Sequence, residues 1–87
     1  MIGMEEYPKG WEEQGGFLVK VFEFENFVEA VGFVNKIVPI AEEMGHHPDV
    51  EIFSYNKVRV NLTTHVQGNK ITEKDVTLAG QINAIEL

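Results

Sequence analysis

The stretch 49-DVEIFSYNKVRVNLTTH-65 decides the fold. Val50, Ile52 and Ser54 alternate with Glu51, Phe53 and Tyr55, and Val58, Val60 and Leu62 alternate with Arg59, Asn61 and Thr63. Side chains on a strand point to opposite faces in turn, so both runs read as half-buried strands. The polar Tyr55-Asn56-Lys57 between them reads as the bend of a hairpin. The same period of two puts His65 on the side of Arg59, Asn61 and Thr63, opposite the Val58, Val60, Leu62 row. His65 is therefore expected outside the hydrophobic layer.

Working towards the N-terminus, residues 27–44 change period. Phe27, Val31, Val34, Val38 and Ala41, flanked by Ala30, Phe33, Ile37, Ile40 and Met44, recur at helical spacing with a wide apolar face. Asn26 is placed to cap the start, with Glu29 three residues on, and Gly45 to terminate the end in a left-handed conformation. Pro39 lies inside and has no N–H for the Asn35 carbonyl, which predicts a kink or a break. Before this helix, Phe17–Phe24 forms two mostly apolar rows, one with Phe17, Val19 and Val21, the other with Leu18, Lys20, Phe22 and Phe24. That is a strand whose buried face is ambiguous. Gly15-Gly16 marks a turn joining it to a first strand that follows Trp11.

Towards the C-terminus, Gln67–Lys70 is a polar loop and Thr72 with Asp75 forms a capping box, with Ile71 and Val76 placed as a staple. Val76, Leu78, Ala79, Ile82 and Ile85 then supply a helical stripe. The order strand, strand, helix, strand, strand, helix specifies an α+β domain: a four-stranded antiparallel sheet with helices packed on one face. Residues 1–87 are expected to form a single domain.

Composition narrows the function. A formal net charge of −7 opposes binding to nucleic-acid phosphates and to anionic membranes. There is no cysteine, so no disulfide framework or thiolate site is available, and no apolar run is long enough to span a bilayer. Glu5 and Glu6 near the N-terminus do not suit a signal peptide. The expected location is cytoplasmic. So small a core, with a sheet face left over, also leads to the expectation of a homo-oligomer, dimer or tetramer.

The chemistry rests on His46, His47 and His65. Imidazole exchanges protons near neutrality, so three in one pocket suit acid-base work or metal binding. Judged singly, each is more often structural, and the His46-His47 pair has a ready explanation as a helix C-cap. Pro48 favours extended geometry at His47, so the two adjacent rings are expected to diverge and to differ in role. Glu42, one turn before His46, is placed to hydrogen-bond a ring nitrogen.

The spacing Glu42, His46-His47-Pro48, Tyr55, His65, Asp75, with Gly10-Trp11, Phe22, Phe24, Phe27, Ala30 and Phe33 upstream and Thr63-Thr64 before His65, resembles the pterin-4a-carbinolamine dehydratase family. The resemblance covers nearly the whole chain and implies the same α+β fold. Members begin with a short helix before the Gly-Trp pair. Here Pro8 interrupts the segment before Gly10, so a short or missing leading helix is expected. The loop after His65 looks about one residue longer than usual.

The resemblance implies dehydration of a 4a-hydroxy-tetrahydropterin to quinonoid dihydropterin in pterin recycling. His46, His47 and His65 are then the catalytic set, with His47 and His65 expected to transfer protons and His46 to orient the substrate. Glu42, Tyr55, Thr63, Thr64 and Asp75 are expected to bind or orient substrate, although the capping box gives Asp75 a structural explanation too. No cofactor and no metal are required. A His-ligated zinc site is the weaker alternative, because adjacent imidazoles in extended chain diverge. The other alternative is a non-enzymatic interaction module, since mammalian relatives of the family also act as dimerisation cofactors of a transcription factor.

Overall fold

The computed structural model describes residues 7–87. Four strands, β1 (Glu12–Gln14), β2 (Phe17–Glu23), β3 (Asp49–Phe53) and β4 (Lys57–Leu62), and two helices, α1 (Phe27–Met44) and α2 (Glu73–Asn83), follow in the order β1β2α1β3β4α2. A single 3-10 turn, His65–Gln67, lies between β4 and α2. The sheet is antiparallel throughout, with strand order β1-β2-β4-β3.

Residues 1–6, where most of any leading helix would fall, are outside the described residues. Tyr7–Gly10 make a turn, closed by Trp11 N–H donating to the Pro8 carbonyl at 3.1 Å.

The register resolves which face of β2 is buried. Leu18, Lys20 and Phe22 stand opposite Leu62, Val60 and Val58, so they share the face on which both helices pack. Leu18, Val58, Val60 and Leu62 are fully buried against Ala30, Phe33 and Ile37 of α1 and Leu78, Ala79 and Ile82 of α2. The Phe33 ring sits between Phe22 and Phe24, at 4.7 and 4.9 Å between centroids. Lys20 is tolerated on this face because its ammonium reaches the rim. It donates to the Lys9 carbonyl at 2.9 Å and to Asn83 Oδ1 at 2.8 Å, and the Trp11 indole donates to the same oxygen at 3.0 Å.

The caps form where local chemistry places them. Asn26 Oδ1 accepts from Glu29 N–H at 2.8 Å. Gly45 takes φ 63° and its N–H bonds the Glu42 carbonyl, while His46 N–H bonds the Ala41 carbonyl, both at 3.2 Å. These two bonds make a Schellman motif. The expected break at Pro39 does not occur: α1 runs unbroken to Met44. Pro39 and Asn35 are both exposed, so water can satisfy the carbonyl that lacks its helical donor.

Candidate active site

The Schellman motif at the end of α1 fixes where the chain leaves the helix. His46 is bound through its own N–H to the last turn, so its side chain starts from a fixed point. His47 and Pro48 then lead into β3. The end of β4 comes back to the same edge of the sheet, because β3 and β4 pair with Asp49 opposite Asn61. His65 follows three residues after Leu62, on a loop closed at its base: Thr64 N–H donates to the Lys70 carbonyl at 2.9 Å, and Lys70 N–H returns to the Thr64 carbonyl at 3.4 Å. Gly68, left-handed at φ 74°, donates to the His65 carbonyl and turns this loop.

The result is an open cleft of ≈ 230 Å³ bordered by His46, His47, Thr63, Thr64, His65 and Lys74. A roomier cleft of ≈ 460 Å³ lies among Tyr7, Glu13, Ile71, Thr72, Glu73 and Val76 and contains no histidine. The smaller one concentrates the acid-base groups.

Each imidazole has a different partner. His46 is 11 % exposed and its Nε2 lies 2.6 Å from Oδ1 of Asp75, which is fully buried. The other oxygen of Asp75 accepts from the Thr64 hydroxyl at 2.8 Å and from Thr72 N–H at 2.9 Å. His47 is mostly exposed, and its Nε2 lies 2.6 Å from Glu42 Oε2, also exposed. His65 is exposed, with Nδ1 3.0 Å from Asn69 Oδ1. A carboxylate or amide oxygen can only accept, so each contacting ring nitrogen carries the proton.

The adjacent rings diverge, as expected from sequence. Among the described residues no group of three His, Asp or Glu side chains is gathered as a metal ion would require. His46 and His47 point to separate carboxylates.

Of the remaining sequence candidates, Glu42 pairs with His47 and not with His46, because the left-handed Gly45 breaks the helical i, i+4 geometry. Thr63 borders the cleft but spends its hydroxyl on the Gly16 carbonyl at 2.8 Å, tying the β1–β2 turn to the end of β4. Tyr55 is elsewhere. It sits 64 % exposed in the β3–β4 turn, at the other end of a five-residue strand and so roughly 17 Å from the histidine edge. Lys74, Val66 and Asn69 were not singled out by sequence reasoning. The one available signal was Asn69 four residues after His65 in a glycine-containing loop.

A model of the family described as pterin 4 alpha carbinolamine dehydratase matches residues 3–85. The chain belongs to that family. A relative from Sulfolobus acidocaldarius, named "Putative pterin-4-alpha-carbinolamine dehydratase", is 50 % identical over 78 residues, covering 90 % of this chain and 84 % of its own. One of the same name from Sulfurisphaera tokodaii is 53 % identical over 77 residues, covering 88 % and 81 %.

Among solved structures, a transcriptional coactivator/pterin dehydratase from Brucella melitensis superposes with a TM-score of 0.79 at 36 % identity, over 87 % of this chain and 81 % of that one. A pterin dehydratase-like protein identified as a RuBisCO assembly factor in the alpha-carboxysome superposes with a TM-score of 0.71 at 26 % identity, over 86 % and 87 %. Family and fold are thus shared with proteins named for both chemistry and assembly. Among the described residues, no helix is long and apolar enough to cross a membrane.

Proposed function

We propose that this chain dehydrates a 4a-hydroxy-tetrahydropterin to quinonoid dihydropterin. The observation that carries the reading is that the adjacent His46 and His47 and the sequence-distant His65 border one cleft. In the reaction the C4a–O bond breaks, the leaving hydroxide takes a proton from an acid and departs as water, and N5 gives up its proton to a base as the C4a=N5 bond forms. One acid and one base with pKa values near neutrality meet this need, and such groups contribute roughly 100- to 10,000-fold. His47 and His65, the two exposed imidazoles, are assigned the proton transfers, and His46 orients the substrate. The cleft is smaller than the roughly 300–1,000 Å³ of pockets that enclose drug-sized ligands. It suits the bicyclic ring, with the substituent left in solvent.

Thr64 and Asp75 support His46, Glu42 supports His47, and Thr63 shapes the wall. The turn carrying Tyr55 has no part in proton transfer in this scheme. Copies of the chain associate as a dimer or tetramer, a proposal supported by Phe27, Val28 and Val38, apolar residues that α1 leaves more than half exposed.

Stopped-flow absorbance of freshly generated 4a-hydroxy-tetrahydropterin tests the reading. Acceleration by the wild type that collapses in His47→Ala and His65→Ala supports it, and a wild-type rate equal to buffer sinks it. In that case the second reading, a protein-interaction module, takes over; its support is the assembly role named for the RuBisCO-factor neighbour.

A further inference from the structure

We infer that Asp75, clamped by Thr64 and by the first turn of α2, locks neutral His46 as its Nε2–H tautomer, so that Nδ1 is the ring's acceptor. Any proton that His46 exchanges with substrate then passes through Nδ1.

The inference follows from counting protons. Thr72 Oγ1 accepts from Lys74 N–H at 3.3 Å, and Thr64 Oγ1 and Thr72 Oγ1 are 2.7 Å apart. The carboxylate has no proton to give. The single Thr64 hydroxyl proton therefore goes to Asp75 Oδ2 at 2.8 Å, and the bond between the two threonines must be donated by Thr72. Thr72 N–H also donates to Oδ2, at 2.9 Å. These two short donors, with the Thr72 hydroxyl at a longer 3.4 Å, converge on Oδ2, which leaves Oδ1 to face His46 Nε2 at 2.6 Å. Every hydrogen along this chain has one direction, and it ends by requiring a donor at Nε2. Among the described residues nothing hydrogen-bonds His46 Nδ1.

The capping box and the histidine orienter are therefore one device. Asp75 is a positioning residue that acts through His46. Because Oδ2 is held by two donors, an Asn at this place keeps its carbonyl oxygen there and turns its NH₂ towards His46, which must then accept at Nε2 and carry its proton on Nδ1.

The test is long-range ¹H–¹⁵N NMR of protein labelled at histidine nitrogen, at a pH where the rings are neutral. Wild type is expected to show His46 protonated at Nε2, and Asp75→Asn protonated at Nδ1. Thr64→Val, which removes one of the two donors without touching His46, is expected to give a mixed tautomer that Thr64→Ser restores. A wild-type His46 protonated at Nδ1 overturns the inference even if no variant folds, as does an Asp75→Asn spectrum unchanged from wild type.

The tautomer stands on geometry alone. Its consequence rests on the dehydratase reading: Asp75→Asn then loses on the order of 100-fold or more in the dehydration rate while keeping the fold. If the dehydration assay shows no wild-type activity, that reading fails and the NMR result still decides the tautomer.

Discussion

His46 and His47 are neighbours in sequence, and each places Nε2 2.6 Å from a carboxylate oxygen, yet the two pairs differ in everything but length. His46–Asp75 is 11 % and 0 % exposed, and its carboxylate is hydrogen-bonded by Thr64 and Thr72 as well. His47–Glu42 is 62 % and 66 % exposed and has no further partner among the described residues. Water competes with the second pair and not with the first. An exposed ion pair is worth about 0.2–1 kcal/mol. Removing one member of a buried, hydrogen-bonded pair costs about 3–5 kcal/mol, because the other member is stranded. Distance alone does not tell a structural lock from a loose, adjustable contact. A proton-transferring group benefits from the loose one.

The largest effect that would sharpen this contrast is Asp75→Ala. It strands the Thr64 hydroxyl and His46 Nε2 and removes half of the α2 capping box, so a loss of about 3–5 kcal/mol is expected. At roughly 4–8 °C per kcal/mol for a domain of this size, the melting temperature falls by more than about 12 °C in calorimetry. A drop of only a few degrees would mean that the buried pair is no stronger than the exposed one.

Next comes Gly45→Ala. At φ 63° a Cβ is strained, although nothing lies within 4 Å of where it would sit, so the penalty is purely conformational, about 1–2 kcal/mol. Because His46 N–H is the second bond of the Schellman motif, the backbone resonances of both histidines should shift with the stability loss. Stability lost with both histidines unmoved would break the link between the helix cap and the site.

How much of this was legible in the sequence depended on how local the cause was. Asn26, Gly45 and Thr72 were readable as caps because a cap is satisfied by backbone within three or four residues. The strand pairs were readable from period two. Of the kink or break expected at Pro39, the break does not occur because solvent reaches the Asn35 carbonyl, which is a property of the folded surface. Glu42 was read against His46 at helical four-residue spacing, whereas the helix ends at Met44, two residues before His46.

Asp75 posed an apparent choice between cap and site. Its two oxygens serve both, and only tertiary structure shows that they face different partners. Tyr55 shared the family spacing, but a hairpin carries its turn away from its base.

The exposed pair supplies the third and smaller effect. Glu42→Gln is expected to change stability by less than about 0.5 kcal/mol in urea denaturation. A double-mutant cycle with His47→Ala should give a coupling that vanishes in 1 M salt, where the Debye length is about 3 Å. The corresponding cycle for His46 and Asp75 should keep its coupling there. Equal salt sensitivity of both cycles would erase the distinction between lock and loose contact.

The smallest effect asks whether partial burial is enough to make a polar contact count. Lys20 lies between the two extremes: burial, and secondarily the nearby Lys9, hold its ammonium below the ordinary lysine value of 10.5. The folded state therefore releases this proton before the unfolded state does. Between the lowered value and 10.5 the unfolded chain binds more protons, so this group makes stability rise with pH in that window.

Tyr7 acts in the opposite sense. Burial, and then the Glu13 carboxylate, hold its phenol above 10.0, so the folded state keeps the proton longer and stability falls as pH rises past 10. Denaturant midpoints measured across the alkaline range should therefore fall more steeply in Lys20→Met than in wild type, and less steeply in Tyr7→Phe. Parallel curves for all three proteins would mean that these rim groups are as fully hydrated as Glu42, and that only complete burial separates the two kinds of contact in this fold.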